Sequence, residues 1–381
     1  MAAGQFLDQP HNHALAGRAR GFWSMVHLDP VLLLLLFVLI TGGLFILYSG
    51  ADQNMAVVKA QGIRMGVALV VMVVFAQFDP AVFRRWAPWL YVAGVAGLLA
   101  VLLFGVGAKG AQRWLALPGL PRFQPSELMK LVVPMMAAWY LSRQFLPPRL
   151  RYVAGSFVIV VMPMAMIILQ PDLGTSLLVG AAGLFVIFFA GMSWKLISAF
   201  FALASVSAPL MWFFVMRDYQ KQRVLTLLDP QSDPLGAGWN IIQSKTAIGS
   251  GGLEGKGWLQ GTQSHLEFLP ESHTDFIVAV LAEEFGFVGM ACLLGLYLLI
   301  ILRCLYIAAM AQDSFSRLLA GALTMTFFIY IFVNVGMVSG LLPIVGVPLP
   351  LISYGGTSSV TLMAAFGVLM SIHTHRRMIS A

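Results

Sequence analysis

The chain carries little charge for its length. Of its 381 residues, 23 are Lys or Arg and 16 are Asp or Glu, which together make 10% of the sequence, while 59% are apolar. Soluble domains have about 25% charged residues. This composition therefore excludes an ordinary soluble protein and indicates a membrane protein.

Residues that bind metals or form disulfides are also scarce. The two cysteines, Cys292 and Cys304, fall on one predicted helix and lie too far apart along it to form a disulfide. The seven histidines are scattered through the chain. The spacing of a zinc site is therefore absent from the sequence.

What the sequence has instead is a series of long apolar stretches. Several approach the roughly 20 residues that a helix needs to cross a ~30 Å hydrocarbon core. The alternation of apolar and polar residues that marks a transmembrane barrel is missing. We predict an all-α, polytopic membrane protein with about ten transmembrane helices, at residues 30–49, 61–78, 87–107, 126–144, 152–170, 173–191, 195–216, 276–308, 316–340 and 354–373.

Ten spans would place both termini on the same side, and the distribution of basic residues predicts which side that is. The short opposite-side loops hold Lys59, Lys109, Arg113 and Arg122. The terminal side holds three times as many basic residues: Arg18, Arg20, Arg84, Arg85, Arg143, Arg149, Arg151, Lys195, Arg303, Arg317, Arg376 and Arg377. By the positive-inside rule both termini are cytoplasmic.

This orientation divides the chain into parts. We predict a cytoplasmic segment at 1–29, a single membrane domain at 30–373 and a cytoplasmic tail at 374–381. The segment 217–275, between helices 7 and 8, is predicted to be a large extracytoplasmic loop. The net charge of +7 follows mainly from the cytoplasmic arginines and favours contact with anionic lipids over nucleic acid.

Charged residues inside apolar stretches are costly unless they are paired or face water, so each suggests a role. Glu127 and Lys130 are three residues apart on one predicted helix and can form an ion pair, which either fixes helix packing or supports a site. Asp172 lies in a tight turn before a helix, and we predict that it caps that helix.

Asp275 lies where the polar loop meets the eighth span. Burial there can raise its pKa while water still supplies protons, as a general base requires. The alternative is that Asp275 only caps the helix. Glu283 and Glu284 lie two turns deeper, and we expect at least one of them to pair with a basic residue of a neighbouring helix.

Two segments rich in glycine or proline stand out. Gly249 to Gly257 departs from the P-loop pattern at Ser250 and at Gly257. Its backbone amides could approach a diphosphate, or it could be a plain mobile loop. The three prolines Pro343, Pro348 and Pro350 exclude a helix. This backbone therefore either lines a cavity or is buried in a re-entrant packing segment.

These features occur together in a known family. The chain resembles the SEDS (shape, elongation, division, sporulation) proteins from residue 30 to 377, and it is more similar to their elongation members than to their division members. The motifs that carry the resemblance are Arg113-Trp114, Gln124 to Lys130, Gln170 to Gly174, Asp229-Pro230, Gly249 to Gly257, Phe268 to Asp275, Glu283 to Gly286 and Pro348 to Ser359. Val278 is a small departure, at a position where an aromatic residue is usual.

The resemblance implies a peptidoglycan glycosyltransferase that polymerises lipid II at the periplasmic face of the cytoplasmic (inner) membrane during cell elongation. It implies an inverting displacement with Asp275 as the general base. It also implies partnership with a class B penicillin-binding protein, which is a transpeptidase, and with other membrane proteins of the elongation complex. The reaction would proceed with or without a divalent cation, Mg or Mn.

The candidate site follows from the motifs and from the charges. The residues expected to bind substrate or to support Asp275 are Arg113, Gln124, Ser126, Glu127, Lys130, Arg223, Lys245, Lys256, His273, Thr274, Ser353, Gly355, Gly356, Thr357 and Ser358. Two other functions fit the same pattern of charges and broken helices: a lipid II flippase or transporter, and a non-catalytic scaffold of the elongation complex.

Overall fold

The protein was described from a computed structural model that covers residues 26–108, 111–115, 124–216, 218–233, 236–262 and 273–375. Within these residues the fold is mainly helical, as predicted. The helices are α1 (Pro30–Gly50), α2 (Met55–Gln77), α3 (Pro80–Phe104), α4 (Pro125–Ser142), α5 (Leu150–Leu169), α6 (Leu173–Phe189), α7 (Trp194–Leu210), α8 (Asp218–Leu228), α9 (Ala237–Gly251), α10 (Ile277–Ala309), α11 (Ser314–Val338) and α12 (Thr357–Thr374).

Ten of these helices, all except α8 and α9, lie on the ten apolar stretches of the sequence. Among the described helices, seven are long and apolar enough to cross a membrane by length and composition: α1, α2, α3, α5, α10, α11 and α12. Helices α6 and α7 are shorter, at 17 residues each. The crossing of all ten helices stays a prediction.

Capping residues explain why two helices begin earlier than the hydrophobic pattern indicated. The Asn54 side chain accepts a hydrogen bond from the Ala56 N–H, and the Asp79 side chain accepts one from the Ala81 N–H. A side chain that binds these otherwise unpaired amides fixes the first turn of the helix. Helices α2 and α3 therefore begin six or seven residues before positions 61 and 87, and include the polar residues Lys59, Arg84 and Arg85.

A small hairpin was not predicted. Strands β1 (Val106–Ala108) and β2 (Ala111–Trp114) pair antiparallel after α3. Arg113 therefore lies on an ordered strand at the end of the helical bundle.

Helix α11 is the centre of the bundle. It packs against α4, α6, α10 and α12, and it buries side chains along its whole length, including Phe327 and Tyr330. A helix surrounded in this way can hold polar groups away from lipid. Its one asparagine, Asn334, is fully buried.

The glycine-rich segment after α9 closes a break in α10. At Gly286 the backbone turns to φ +62° and ψ −158°, which interrupts the helix. The Lys256 and Gly257 amides donate to the carbonyls of Glu283 and Glu284. The contact is so close that a Cβ atom on Gly286 would lie 2.4 Å from the Gly255 nitrogen.

The same segment also accepts hydrogen bonds from beyond the break. The Phe287 and Val288 amides donate to the carbonyls of Gly252 and Leu253, at 3.0 and 3.1 Å. The glycines thus restore hydrogen bonds that the interrupted helix has lost. The amides of Lys256 and Gly257 are engaged in this packing and do not point to a diphosphate.

Candidate active site at the loop end of the bundle

The predicted ion pair of α4 is confirmed. Lys130 Nζ lies 2.5 Å from Glu127 Oε1, and both residues are buried. The ammonium group also lies 5.0 Å from the centre of the Tyr330 ring on α11. A buried pair of this kind is held by mutual charge and by the aromatic face, and removing one partner leaves an uncompensated charge.

A second polar cluster adjoins the start of α4. Gln124 Nε2 donates to Ser126 Oγ at 3.0 Å and to Asp172 Oδ2 at 3.2 Å. Asp172 also accepts from the Thr175 N–H at 3.2 Å, so it caps α6 as predicted. Asp172 therefore binds both the first turn of α6 and the side chain of Gln124, the N-cap residue of α4, and this fixes α4 relative to α6.

Arg113 extends this cluster towards solvent. Its Nη2 donates to the Pro171 carbonyl at 2.6 Å, and its Nε lies 3.8 Å from Asp172 Oδ2. The Arg113 side chain is 34% exposed, whereas that of Asp172 is 7% exposed. The guanidinium is therefore anchored on one side and accessible to an anion on the other.

The proline-rich segment 341–353 joins this cluster to Asp275. A Cβ atom on Gly174 would lie 2.8 Å from the Val345 carbonyl oxygen, so the start of α6 packs directly on the segment. Asn334 donates to the carbonyls of both Asp275 and Val347, at 2.9 and 2.8 Å. One buried amide therefore holds the loop before α10 and the proline-rich segment together.

Asp275 is half-buried at this junction. Helix α10 begins at Ile277 and its N-cap is Phe276, with no side-chain cap hydrogen bond. Asp275 thus precedes the N-cap residue by one position. Its carboxylate faces the proline-rich segment, where a Cβ atom on Gly346 would lie 3.5 Å from Asp275 Oδ2. Gly346 has φ +72°, a conformation that favours glycine.

His273 is tied to the segment before α12. The Tyr354 N–H donates to the His273 carbonyl at 2.9 Å, and their rings meet edge to face with centroids 5.8 Å apart. The Arg64 guanidinium from α2 lies over the Tyr354 ring at 4.3 Å. Since His273 is two residues from Asp275, this stack supports the loop that carries the carboxylate.

Gln61 strengthens the same contact one turn away on α2. Its amide donates to the carbonyls of Ser353 and Gly355 and accepts from the Gly355 N–H, over distances of 3.2 to 3.4 Å. Ser353 Oγ in turn accepts from the Leu349 N–H at 2.8 Å. The predicted Ser353 and Gly355 thus serve to fix the backbone.

Helix α12 begins at Thr357, beside this clamp. Gly356 is its N-cap and makes no side-chain cap hydrogen bond. A Cβ atom on Gly356 would lie 3.3 Å from Arg64 Cδ, and one on Gly355 would lie 3.2 Å from Ser358 Oγ. The opening of the last helix is therefore close to a cation, as an anion site would need.

The basic residues of the long loop are spread over several positions. Lys256 Nζ lies 2.7 Å from Glu283 Oε1, and Thr262 donates to the same oxygen through its N–H and its hydroxyl. Lys245 is exposed on α9 above Gly340, and Arg223 lies on α8. Lys256 is thus engaged in holding the loop.

The adjacent acids Glu283 and Glu284 of α10 are both buried, and each has partners outside its own helix. Glu283 pairs with a basic residue as expected, but this partner, Lys256, belongs to the irregular segment after α9 and not to a helix. Glu284 accepts hydrogen bonds from Ser49 Oγ of α1 and from the Leu259 N–H. Both acids therefore fasten the loop to the bundle.

Besides Asn334 and Tyr354, two contributors from α2 were missing from the sequence-based site, namely Gln61 and Arg64. The sequence held one sign of them: an amide side chain and a charged side chain lie three residues apart, within or beside an apolar stretch. Within the described residues no three His, Cys, Asp or Glu side chains come together as ligands for a metal ion. Thr274 lies between His273 and Asp275 in the same turn.

The chain was compared with known proteins. Residues 24–378 match the model of the FtsW/RodA/SpoVE family, described as cell cycle proteins. The chain belongs to this family. It is 55% identical to the peptidoglycan glycosyltransferase MrdB of Escherichia coli K12, over 94% of this chain and 97% of that protein. It is 35% identical to a probable peptidoglycan glycosyltransferase FtsW of Geobacter metallireducens, over 92% and 95%.

Solved structures show the same fold. One, described as showing the structural coordination of polymerization and crosslinking by a peptidoglycan synthase complex, matches with a TM-score of 0.80 and 31% identity over 91% of this chain and 97% of that chain. The rod shape determining protein RodA of Thermus thermophilus matches with a TM-score of 0.68 and 28% identity, over 91% and 96%.

Proposed function

We propose that this protein is a peptidoglycan glycosyltransferase that polymerises lipid II, with Asp275 as its general base. The observation that carries the proposal is the position of Asp275: a half-buried carboxylate in a turn that Asn334 and Tyr354 fix through its backbone. The identity to MrdB, a peptidoglycan glycosyltransferase, supports the same activity.

The proposed reaction is a direct displacement. The 4-hydroxyl oxygen of one disaccharide unit attacks the anomeric carbon of another, and the bond from that carbon to the diphosphate oxygen breaks. Asp275 takes the hydroxyl proton, and the lipid diphosphate leaves with the bonding electrons. Since the donor is α-linked and the polymer β-linked, one inversion and one base suffice. A general base typically contributes 10²–10⁴-fold to the rate.

The leaving diphosphate needs positive charge at the moment of bond cleavage. Arg113 is the best placed of the predicted cations, because it is anchored by Pro171 and Asp172 and remains partly exposed. Arg64 lies on the other side of the proline-rich segment, next to Gly356 and the start of α12. We assign charge stabilisation to these two arginines, with or without a divalent cation on the diphosphate.

The substrate's lipid tail also needs a place in the bundle. A cavity of about 610 Å³ between α3 and α4 is lined almost entirely by apolar side chains. Its outer end, at Leu115 and Pro125, adjoins Arg113 and Gln124. This arrangement supports an amphiphile whose headgroup lies in the polar site and whose tail lies between the helices.

The orientation and the partner belong to the same proposal. The excess of basic residues on the terminal side supports an inner-membrane protein whose site faces the periplasm. The match to a peptidoglycan synthase complex that combines polymerization and crosslinking supports a class B penicillin-binding protein as partner.

The flippase and scaffold functions make different demands on Asp275. A scaffold needs no acid at this position, and a flippase would move lipid II without making polymer. The deciding experiment measures polymer formed from labelled lipid II by the purified protein with its transpeptidase partner. It compares the wild type with Asp275→Asn and with the control Asp218→Asn, which changes an exposed acid at the start of α8.

We expect Asp275→Asn to lower the rate by at least about a hundredfold, since an amide cannot take the proton. Asp218→Asn should retain the wild-type rate. Full polymerisation by a folded Asp275→Asn protein would exclude Asp275 as the base. Lipid II transport without polymer from the wild type would support the flippase instead.

A further inference from the structure

A basic pocket lies at the end of the bundle opposite the candidate active site. It has a volume of about 420 Å³ and lies between the beginning of α3 and the end of α4. The side chains that line it are those of Ala81, Arg84, Arg85, Trp139, Ser142 and Arg143. We infer that this pocket binds the phosphate group of an anionic phospholipid from the surrounding leaflet.

The charges of the pocket point to an anionic ligand. Three of its six lining residues are arginines and none is acidic. Among the described residues no acidic side chain forms an ion pair with Arg84, Arg85 or Arg143. Nor does the helix dipole favour Arg84 and Arg85, because cations are disfavoured near the start of a helix. Arg84 also lines a neighbouring pocket that contains Asp79 and Asp313. Within the described part of the chain none of the three guanidinium groups is held in an ion pair, so they are available to a phosphate.

Trp139 gives the pocket a fixed wall. The Arg143 guanidinium lies 4.7 Å from the centre of the Trp139 ring. Ser142 Oγ donates to the Trp139 carbonyl at 3.1 Å, which ties the last turn of α4 together. A stacked guanidinium keeps its N–H donors in one plane, and such a plane can donate two parallel hydrogen bonds to a phosphate.

The ligand must also have an apolar part. The inner end of the apolar cavity between α3 and α4 is lined by Val82, Trp86 and Met135. Met135 is four residues from Trp139, about one helical turn away, and Val82 and Trp86 flank Arg84 and Arg85 in sequence. The basic pocket therefore adjoins the inner end of this cavity, where acyl chains can lie, while the lipid II tail is proposed to enter from the outer end at Leu115 and Pro125. A free phosphate ion would not use this apolar surface.

Exposed tryptophans place this end of the bundle at a membrane surface. Trp86 is 54% exposed and Trp89 is 70% exposed on the outside of α3. Tryptophan is enriched at the level of lipid headgroups. A pocket of arginines at that depth meets phosphates of the leaflet, and basic pockets between membrane helices are known to bind anionic headgroups.

The test is a lipid titration of the detergent-solubilised, full-length protein, followed by native mass spectrometry. The probe is phosphatidylglycerol, compared with phosphatidylcholine of the same acyl chains. The pocket variant Arg84→Gln with Arg143→Gln is matched by Arg149→Gln with Arg151→Gln. The matched pair removes the same charge from the neighbouring α4–α5 connection and first turn of α5, outside the pocket.

We expect one phosphatidylglycerol molecule to bind more tightly than phosphatidylcholine. Its dissociation constant should rise about thirtyfold in the pocket variant and less than about threefold in the matched variant. The single change Arg85→Gln should raise it about fivefold, which tests the pocket even where the double variant fails to fold.

Three results would overturn the inference. Equal weakening in the two double variants would mean that binding follows overall charge. Displacement of phosphatidylglycerol by inorganic phosphate would identify a simple anion site. Equal affinity for phosphatidylcholine would show that the arginines do not recognise the headgroup.

Discussion

Two aspartates precede membrane helices at opposite ends of the bundle, and their surroundings differ. Asp29 has a fully buried side chain that caps α1 through the Leu32 N–H at 2.8 Å. It also contacts Arg303 Nη2 at 2.5 Å and His373 Nε2 at 3.2 Å. Asp275 is half-buried and directly precedes Phe276, the N-cap residue of α10.

The difference separates a structural carboxylate from the one proposed as the general base. At Asp29, partners from α1, α10 and α12 surround the charge on several sides. At Asp275 the protein fixes the backbone through Asn334 and leaves the side chain beside a glycine, Gly346. The position of the proposed base is thus set through its backbone.

The pKa of Asp29 reflects this enclosure. Burial by itself raises it, but the hydrogen bonds from Arg303 and Leu32 and the positive charges of Arg303 and His373 outweigh burial and hold the pKa below 3.8. A carboxyl whose folded-state pKa is lowered contributes stability above its unfolded-state pKa. That contribution is lost as the pH falls through the folded-state pKa.

The comparison predicts that substitutions at the end of the bundle that carries Asp275 change the rate of polymerisation. Substitutions at the end that carries Asp29 should change the stability of the fold. After Asp275→Asn, the largest loss of rate is expected for Glu127→Gln. It leaves the Lys130 charge buried with only the Tyr330 ring beside it, and polymerisation should fall about a hundredfold. The rate of polymer formation from lipid II would be measured.

Glu127→Gln must be distinguished from unfolding. The double variant Glu127→Gln with Lys130→Met removes both charges and should restore the melting temperature without restoring the rate. A double variant that recovers both would show that the pair only packs α4 against α11, and would remove it from the site.

A smaller effect is expected at Arg64. In Arg64→Ala the stack on Tyr354 is lost, so the loop that carries His273 and Asp275 becomes less well ordered. We expect about a tenfold loss of kcat, the equivalent of one cation–π contact. The measurement is the dependence of the rate on lipid II concentration.

The split between kcat and KM distinguishes positioning from diphosphate binding, and Arg64→Lys and Arg64→Met are the control variants. Lysine keeps the charge and a cation–π contact and should recover part of kcat, while Arg64→Met should not. A change in KM with kcat unaltered would instead assign Arg64 to binding of the diphosphate.

The smallest effect on rate is expected for Asp29→Asn, which should leave polymerisation within about twofold of the wild type. It should lower the free energy of unfolding by about 3 kcal/mol at neutral pH, because the Arg303 and His373 charges lose their partner. Thermal unfolding in detergent at several pH values would measure this loss.

The sign of the pH dependence follows from the lowered pKa of Asp29. The free energy of unfolding of the wild type should exceed that of Asp29→Asn by the full amount above about pH 4. This excess should shrink as the pH falls through the folded-state pKa of Asp29. A difference that grows on acidification would contradict the role assigned to Asp29.

Features that depend on a single helix were predictable from the sequence. The Glu127–Lys130 pair follows from a spacing of three residues, and the Asp172 cap follows from a short acid before a helix. The absence of a helix between Pro343 and Pro350 follows from proline itself. In each case the geometry within about one turn decides the contact.

Contacts between helices were not predictable in the same way. The sequence put Gln61 at the edge of an apolar stretch and Arg64 inside it, but only the packing of α2 against the segment before α12 places them on Ser353 and Tyr354. The glycine-rich segment suggested a phosphate cradle or a mobile loop, whereas the break at Gly286 makes it part of α10's support.

The sequence by itself determined that this is a helical membrane protein, where its helices lie, and which polar residues have to be accommodated among them. The tertiary structure alone decided which of those polar residues meet. The physical reason is that hydrophobic burial is non-directional: it selects the spans, while the rotation and depth of each helix in the bundle select its contacts. Asp29 and Asp275 look alike in sequence, and packing encloses Asp29 among Arg303 and His373 whereas it leaves Asp275 half-buried beside the proline-rich segment.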